Sequence, residues 1–145
     1  MSVNYIPKGY HTVTPYLVTK NAAKLVDYIV KAFNGTVKSQ HATPDGVVMH
    51  AEVEVGDSMI MLGEASEKWG SSAAMLYLYI PDVDATYKQA IAAGGKSLRE
   101  PTNEFYGDRG AGVQDEFGNQ WWMATHIEDV SDEEMMRRQK EQAAQ

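Results

Sequence analysis

The sequence predicts an α+β fold made of two successive βαβββ modules followed by a C-terminal helix, and three observations carry that prediction. The phrase EFGNQWWMA at Glu116 to Ala124 echoes EVGDSMIML at Glu54 to Leu62, an internal echo at a period of roughly 60 residues that marks a repeated structural unit. Two stretches with helical periodicity occupy corresponding places in the two copies, and each runs into glycine. After each helix come strand-like segments broken by Gly-Asp or Gly-Asn turns.

The first module opens with an extended segment at Tyr16-Leu-Val18 and passes into a helix over Asn21 to Phe33. There Leu25, Ile29 and Phe33 recur every fourth position with Ala22 and Val26 beside them, an apolar stripe suited to covering one face of a sheet. Gly35 stands where a left-handed residue ends a helix. Strands follow at Val37 to Ala42, Val47 to Val55 and Ser58 to Leu62, separated by the turns Thr43-Pro-Asp-Gly46 and Gly56-Asp57. The second module repeats this order. Tyr77-Leu-Tyr79 precedes a helix over Asp82 to Ala93, capped by Asp82, with Val83, Tyr87, Ala90 and Ile91 as its stripe and Gly94-Gly95 at its end. Strands then fall at Lys96 to Glu100, Gly110 to Asp115 and Gln120 to Thr125, the first two joined by a long loop from Pro101 to Arg109. A last helix starts at Ser131, which has capping-box spacing to Glu134, and runs into a polar tail that frays. The expected organisation is a single domain over 1–130, with modules at about 10–65 and 73–127, and a helical tail over 131–145.

Composition bounds the function classes. The chain has 145 residues, 43% of them hydrophobic, enough for one real core. Its formal charge of −7 argues against a nucleic-acid partner, which would require a basic face. No apolar run approaches the roughly 20 residues needed to cross a bilayer, so no membrane partner is expected. The absence of cysteine removes disulfides, thiolate metal sites and cysteine nucleophiles together, and is compatible with a cytoplasmic location. A small organic molecule is the expected partner.

Strand parity then sorts side chains by face. In Val47 to Val55 the odd positions Val47, Met49, Ala51, Val53 and Val55 face the helices, leaving His50 and Glu52 on the opposite face. In the last strand Gln120, Trp122, Ala124 and His126 lie on one side and Trp121, Met123 and Thr125 on the other. Two tryptophans on opposite faces imply that both faces are covered, one by a helix and one by an aromatic-lined concavity of the kind that holds ligands.

In this order and spacing the residues resemble the vicinal oxygen chelate superfamily, which includes glyoxalase I, extradiol dioxygenases and bleomycin-resistance proteins, and most of all its PhnB-like branch. The phrases that carry the resemblance are TVTPYLV at Thr12 to Val18, KAF at Lys31 to Phe33, PDGVVMHAEVEVGDSMIML at Pro44 to Leu62, YGDRGAGVQDEFGNQWWMATH at Tyr106 to His126 and EDVSDEEMMRR at Glu128 to Arg138. Tyr28-Ile29 departs from the usual Phe-Tyr, and Glu116 stands where proline commonly precedes the turn. The resemblance implies a cup-shaped mixed sheet built from the paired modules, and a homodimer. It also implies four metal-ligand positions, which fall here on Thr14, Ile60, Met75 and Trp122. These cannot hold a hard or borderline cation, and the neighbours Val13, Tyr16, Met61, Leu76 and Met123 make no better set.

No cofactor is therefore expected, although a divalent metal remains open through a non-standard set of His50, Glu52, His11 and Glu64. Two function classes stand side by side. The first is a small-molecule-binding protein whose cup is lined by Thr14, Tyr16, His50, Glu52, Tyr77, Tyr79, Tyr106, Arg109 and Trp122. The second is a lyase, isomerase or dioxygenase of the same superfamily, with His50 and Glu52 as catalytic base and partner. Each residue also has a plainer account. His50 and Glu52 can be solvated strand residues, His11 an exposed terminal residue and His126 a brace for the last helix. Tyr77, Tyr79 and Trp122 can be packed core. Tyr106 and Arg109 sit in a loop long enough to act as a lid, where Arg109 suits a carboxylate or phosphate, or else pairs with Asp108 or Glu104.

Overall fold

A computed structural model describes residues 2–144. The elements run β1 (Tyr16–Thr19), α1 (Ala22–Phe33), β2 (Thr36–Ala42), β3 (Val48–Val55), β4 (Ser58–Glu64), β5 (Met75–Tyr79), α2 (Val83–Ala92), β6 (Lys96–Asn103), β7 (Asp108–Gln114), β8 (Gln120–His126) and α3 (Asp132–Ala143). They form two four-stranded mixed sheets in the orders β1-β4-β3-β2 and β5-β8-β7-β6, the second repeating the first. In each, the opening strand runs parallel to the last strand of its module and the rest pair antiparallel.

The modules meet through their helices. Leu17, Leu25, Ile29, Phe33, Val53, Ile60 and Leu62 of the first module join Val83, Ala90, Val113, Trp121 and Met123 of the second in one buried core. Phe33 and Trp121 pack with ring centroids 4.8 Å apart, and the Tyr28 hydroxyl donates to the Ala90 carbonyl at 3.3 Å. Asn34 lies at the same seam, where its Oδ1 accepts from Gln89 Nε2 at 2.8 Å.

The two helices begin differently. Asp82 caps α2 from within its own turn, its side chain accepting from Ala85 N at 3.2 Å. Asn21, before α1, has φ 61 and makes no side-chain cap. Its place is taken by Glu64 at the end of β4, whose carboxylate accepts from Asn21 N at 2.9 Å and Ala22 N at 3.0 Å.

Several sequence expectations change. The left-handed residue ending α1 is Asn34 (φ 57) and not Gly35, which is needed because a Cβ there would press on Val53 and Ile29; at α2 the glycine is Gly94 (φ 115), as expected. Ser131 caps α3 by accepting from Glu134 N at 3.2 Å, but the Glu134 carboxylate pairs with Arg137 and Arg138, so only half of the capping box forms. Met49 leaves the core: His41 pairs with His50 while Ala42 pairs with Val48, so Met49 is the extra residue of a bulge, is 52% exposed, and Val48 is buried in its place. The long loop at 101–109 is mostly strand. β6 continues through Pro101 to Asn103, tolerating the proline because β6 is an edge strand with shifted register, and a tight turn at 104–107 is closed by Glu104 N on Asp108 O at 2.7 Å. The segment expected as a lid is therefore strand on both sides of the turn at 104–107.

Candidate functional site

Each sheet has one face against the helices and one without cover. On the uncovered face of the first sheet, Tyr16 of β1 lies beside Met61 of β4, with Glu52 next across the sheet. Glu52 Oε2 lies 2.9 Å from His50 Nε2, and His50 Nδ1 lies 3.0 Å from the Tyr16 hydroxyl. A neutral imidazole that gives its Nε2 proton to Glu52 keeps Nδ1 as acceptor, so the Tyr16 hydroxyl donates. His41, opposite His50 on β2, approaches it with ring centroids 6.5 Å apart.

The second sheet carries the counterpart. Tyr77 of β5 lies beside Trp122 of β8, which lies beside Gly112 of β7. The Trp122 indole rests on the strand at Gly112 and donates Nε1 to Gln120 Oε1 at 3.0 Å. At the end of this face the carboxylate of Asp108 is buried and accepts from Tyr77 at 3.1 Å, Tyr79 at 2.9 Å and His126 Nδ1 at 2.8 Å. Burial alone would raise the Asp108 carboxyl, but hydrogen bonds from His126, Tyr79 and Tyr77 outweigh it and hold the pKa below the ordinary value. Burial first, then Tyr106 and Asp108, push the Tyr77 hydroxyl far up, so it stays protonated. The rings nevertheless face outward, Tyr77 being 47% and Tyr79 66% exposed.

His126 sits between two carboxylates, with Asp129 Oδ1 2.8 Å from Nε2. The Asp108 bond first, and then the Asp129 bond, raise its pKa above 6.5. A raised histidine pKa stabilises the fold fully below the unfolded value and ceases to do so as pH rises through the folded one. The stability gap between the native chain and His126→Gln should therefore narrow between about pH 6 and pH 9. Urea unfolding at both pH values checks this, and an unchanged gap would count against it.

The expected site residues divide in space. Thr14, Tyr77 and Tyr79 line a groove of about 960 Å³ between the modules, together with Phe33, Leu76, Leu78, His11 and Asp57. Tyr77, Tyr106 and Trp122 line a smaller cleft of about 120 Å³ on the open face of the second sheet, with Arg99 and Glu104. Tyr16, His50 and Glu52 stand together on the first sheet. Arg109 is not among them. Its position in β7 is beside Thr125, and it forms a bidentate pair with Asp84 of α2, at 2.8 and 2.9 Å, in place of Asp108 or Glu104.

The non-standard metal set is dispersed: Glu64 caps α1, and His11 Nε2 bonds the Asp57 carbonyl at 3.0 Å. Ile60 faces the helices, so Met59 and Met61 are the β4 residues on the open face, a one-residue shift that supplies no better ligand. The donors do not fit a metal, and among the described residues no three His, Cys, Asp or Glu side chains gather as one would require.

Asp108 was not singled out from the sequence except as a partner for Arg109. The signal is parity, which places it on the face of Gly110 and of Gly112, the partner of Trp122, while the adjacent Arg109 faces the helix. Gly112 has its own consequence, because a Cβ there would sit 2.6 Å from Trp122 Cζ3. Gly112→Ala should lift the indole from the strand while costing no more than about 1 kcal/mol, because Trp122 is only half-buried. The Trp122 Nε1–H resonance should move and that of Trp121 should stay; both staying would show that the ring does not rest on β7.

Residues 9–123 match the family model of the glyoxalase/bleomycin resistance protein/dioxygenase superfamily. Three solved structures share the fold. TioX from Micromonospora sp. ML1 superposes with a TM-score of 0.71 at 20% identity, covering 81% of this chain and 99% of TioX. TnmS3, an antibiotic binding protein from Streptomyces sp. CB03234, gives 0.63 at 19%, covering 87% and 98%. A PhnB protein from Bacillus cereus, described as a putative 3-demethylubiquinone-9 3-methyltransferase, gives 0.63 at 16%, covering 79% and 99%. The repeated module, the sheet order and the family match agree: the chain belongs to the glyoxalase/bleomycin resistance protein/dioxygenase superfamily.

Proposed function

We propose that this protein binds a small organic molecule against the open sheet faces, with Tyr77, Tyr79, Tyr106 and Trp122 stacking on it and Tyr16, His50 and Glu52 supplying polar contacts. The observation that carries this reading is that Tyr77 and Tyr79 expose their rings while a buried carboxylate fixes their hydroxyls. Exposed aromatics on a rigid strand make contact area at low entropic cost. The reading is in keeping with TnmS3, which shares the fold and is described as an antibiotic binding protein. It also extends to a homodimer in the cytoplasm. Tyr16 at 50% exposure and Met75 at 67% lie on β1 and β5, the edge strands of the two sheets, where a second copy could pair.

Native mass spectrometry of protein purified without denaturation tests both parts. A dimer mass, with an organic adduct lost on Trp122→Ala, is expected. A bare monomer across micromolar concentrations, unchanged by aromatic additives, would overturn the reading.

One observation favours a second reading, an enzyme. The hydrogen-bonded series Tyr16, His50, Glu52 has the form of an oriented base beside a phenol, competent to move a proton without a metal. Turnover of an enolisable substrate that falls at least about 100-fold in His50→Ala would establish it.

A further inference from the structure

We propose that the open face of the second sheet selects ligands bearing a protonated amine, which it holds on the hydroxyl oxygens of Tyr77 and Tyr79. This rests on the binding reading above and adds the chemical class. A phenol has one proton to donate. Both protons are spent on Asp108 Oδ2, at 3.1 and 2.9 Å, and Asp108, held below the ordinary carboxylate range, takes them as an anion. What Tyr77 and Tyr79 have left to offer is therefore lone pairs only, polarised by a negative charge behind them, with the Tyr106 hydroxyl beside Tyr77 as a competing partner. A ligand group meeting them must be a donor. A carboxylate or phosphate would place acceptor against acceptor.

The surroundings add to the sign. The faces of Tyr77, Tyr79 and Trp122 attract cations through their ring quadrupoles. Each cationic side chain nearby is already matched by a carboxylate: Arg99 by Glu104, Arg109 by Asp84, and His126 by Asp108 and Asp129. The chain as a whole carries −7, so its field draws cations. The first module reaches the same polarity by different residues. Tyr16, which holds the place in β1 that Tyr77 holds in β5, lies 3.0 Å from His50 Nδ1 and donates to it in the tautomer whose Nε2 proton goes to Glu52. Two halves with different side chains thus present a tyrosine oxygen as an acceptor backed by a carboxylate.

The test uses three probes that share one ring: 1-naphthylmethylammonium, 1-naphthylmethanol and 1-naphthylacetate, titrated calorimetrically into the full chain at neutral pH. The ammonium should bind about tenfold more tightly than the alcohol, and the acetate more weakly than either. Tyr79→Phe leaves Asp108 two donors and keeps the ring, and it should remove a large part of the ammonium preference. Tyr77→Phe with Tyr79→Phe should bring ammonium and alcohol within about threefold. If that double variant fails to fold, the single variant still decides. Equal affinities for all three probes would sink the amine selectivity and leave the aromatic binding reading standing. An acetate preference, or an ammonium preference untouched by Tyr79→Phe, would overturn the assignment of these oxygens. No binding by any probe at millimolar concentration would remove the amine site and the binding reading together.

Discussion

Trp121→Ala should lower the unfolding free energy by about 3–5 kcal/mol, a large share of what a domain of this size commands. The ring is fully buried at the seam between modules, against Phe33 at 4.8 Å between centroids. Its truncation leaves a cavity between the two helices and the second sheet. It also leaves Asp115 short of a donor: that buried carboxylate accepts from Trp121 Nε1 at 2.8 Å, Phe117 N at 2.9 Å, and Asn119 N and Nδ2 at 3.0 Å. The two contributions separate in Trp121→Phe, which keeps most of the volume and loses the donor, and should cost about 1–3 kcal/mol. Urea unfolding of both variants measures this. A loss below about 1 kcal/mol for the alanine variant would mean that the helix contacts alone hold the modules together.

The second large effect is expected at Gly107. Its φ of +96 lies where a side chain is strained, and a Cβ would run into the backbone carbonyl of Glu128, which cannot swing aside as a side-chain tip can. The Gly107 carbonyl also accepts from Ile127 N at 2.8 Å and Glu128 N at 3.2 Å, tying the β6–β7 turn to the exit of β8. Gly107→Ala should therefore cost about 2–4 kcal/mol. Because Asp108 and Tyr106 flank the position, the same change should displace the acceptors of the amine site. Thermal denaturation with a naphthylmethylammonium titration reads both, and a variant as stable as the native chain would show that the turn relaxes without cost.

Much of this fold is legible in the sequence because its signals are periodic. The 3.6-residue stripe of Leu25, Ile29 and Phe33, the alternation through Ala51 and Val53, and the opposed pair Trp121 and Trp122 each report a face, and each lands where the periodicity puts it. What parity cannot report is an inserted residue. The bulge at Met49 reverses the faces upstream of His50 and leaves no mark in composition, since valine and methionine suit either side. The sequence expectation ends the strand at Glu100; proline cannot donate to a ladder, but at a sheet edge that donor is not required, so β6 runs through Pro101. The same misplaced boundary put Arg109 in a loop, where a free guanidinium suggests a ligand anchor; in β7 it faces α2 and meets Asp84. Among the candidate residues, Trp122 and the pair His50 and Glu52 follow from the face of the strand they occupy. The role of Asp108 does not, because a buried carboxylate is recognised by the donors that converge on it, and Tyr77, Tyr79 and His126 reach it from two other strands.

The capping of the two helices couples each first turn to the sheet of its own module. α2 carries one cap, Asp82, three residues from the amide it satisfies, which local sequence supplies. α1 borrows its cap from Glu64, more than 40 positions away, and that carboxylate arrives only once β3 and β4 have paired and β1 has docked beside them. The second module has a long-range tie as well, because Val83 N at the start of α2 donates to Thr125 Oγ1 of β8 at 2.9 Å, so loop-closure entropy falls on both modules. Although the chain writes its module twice, each copy ties the start of its helix to its own last strand, and only the second adds a cap from within the turn.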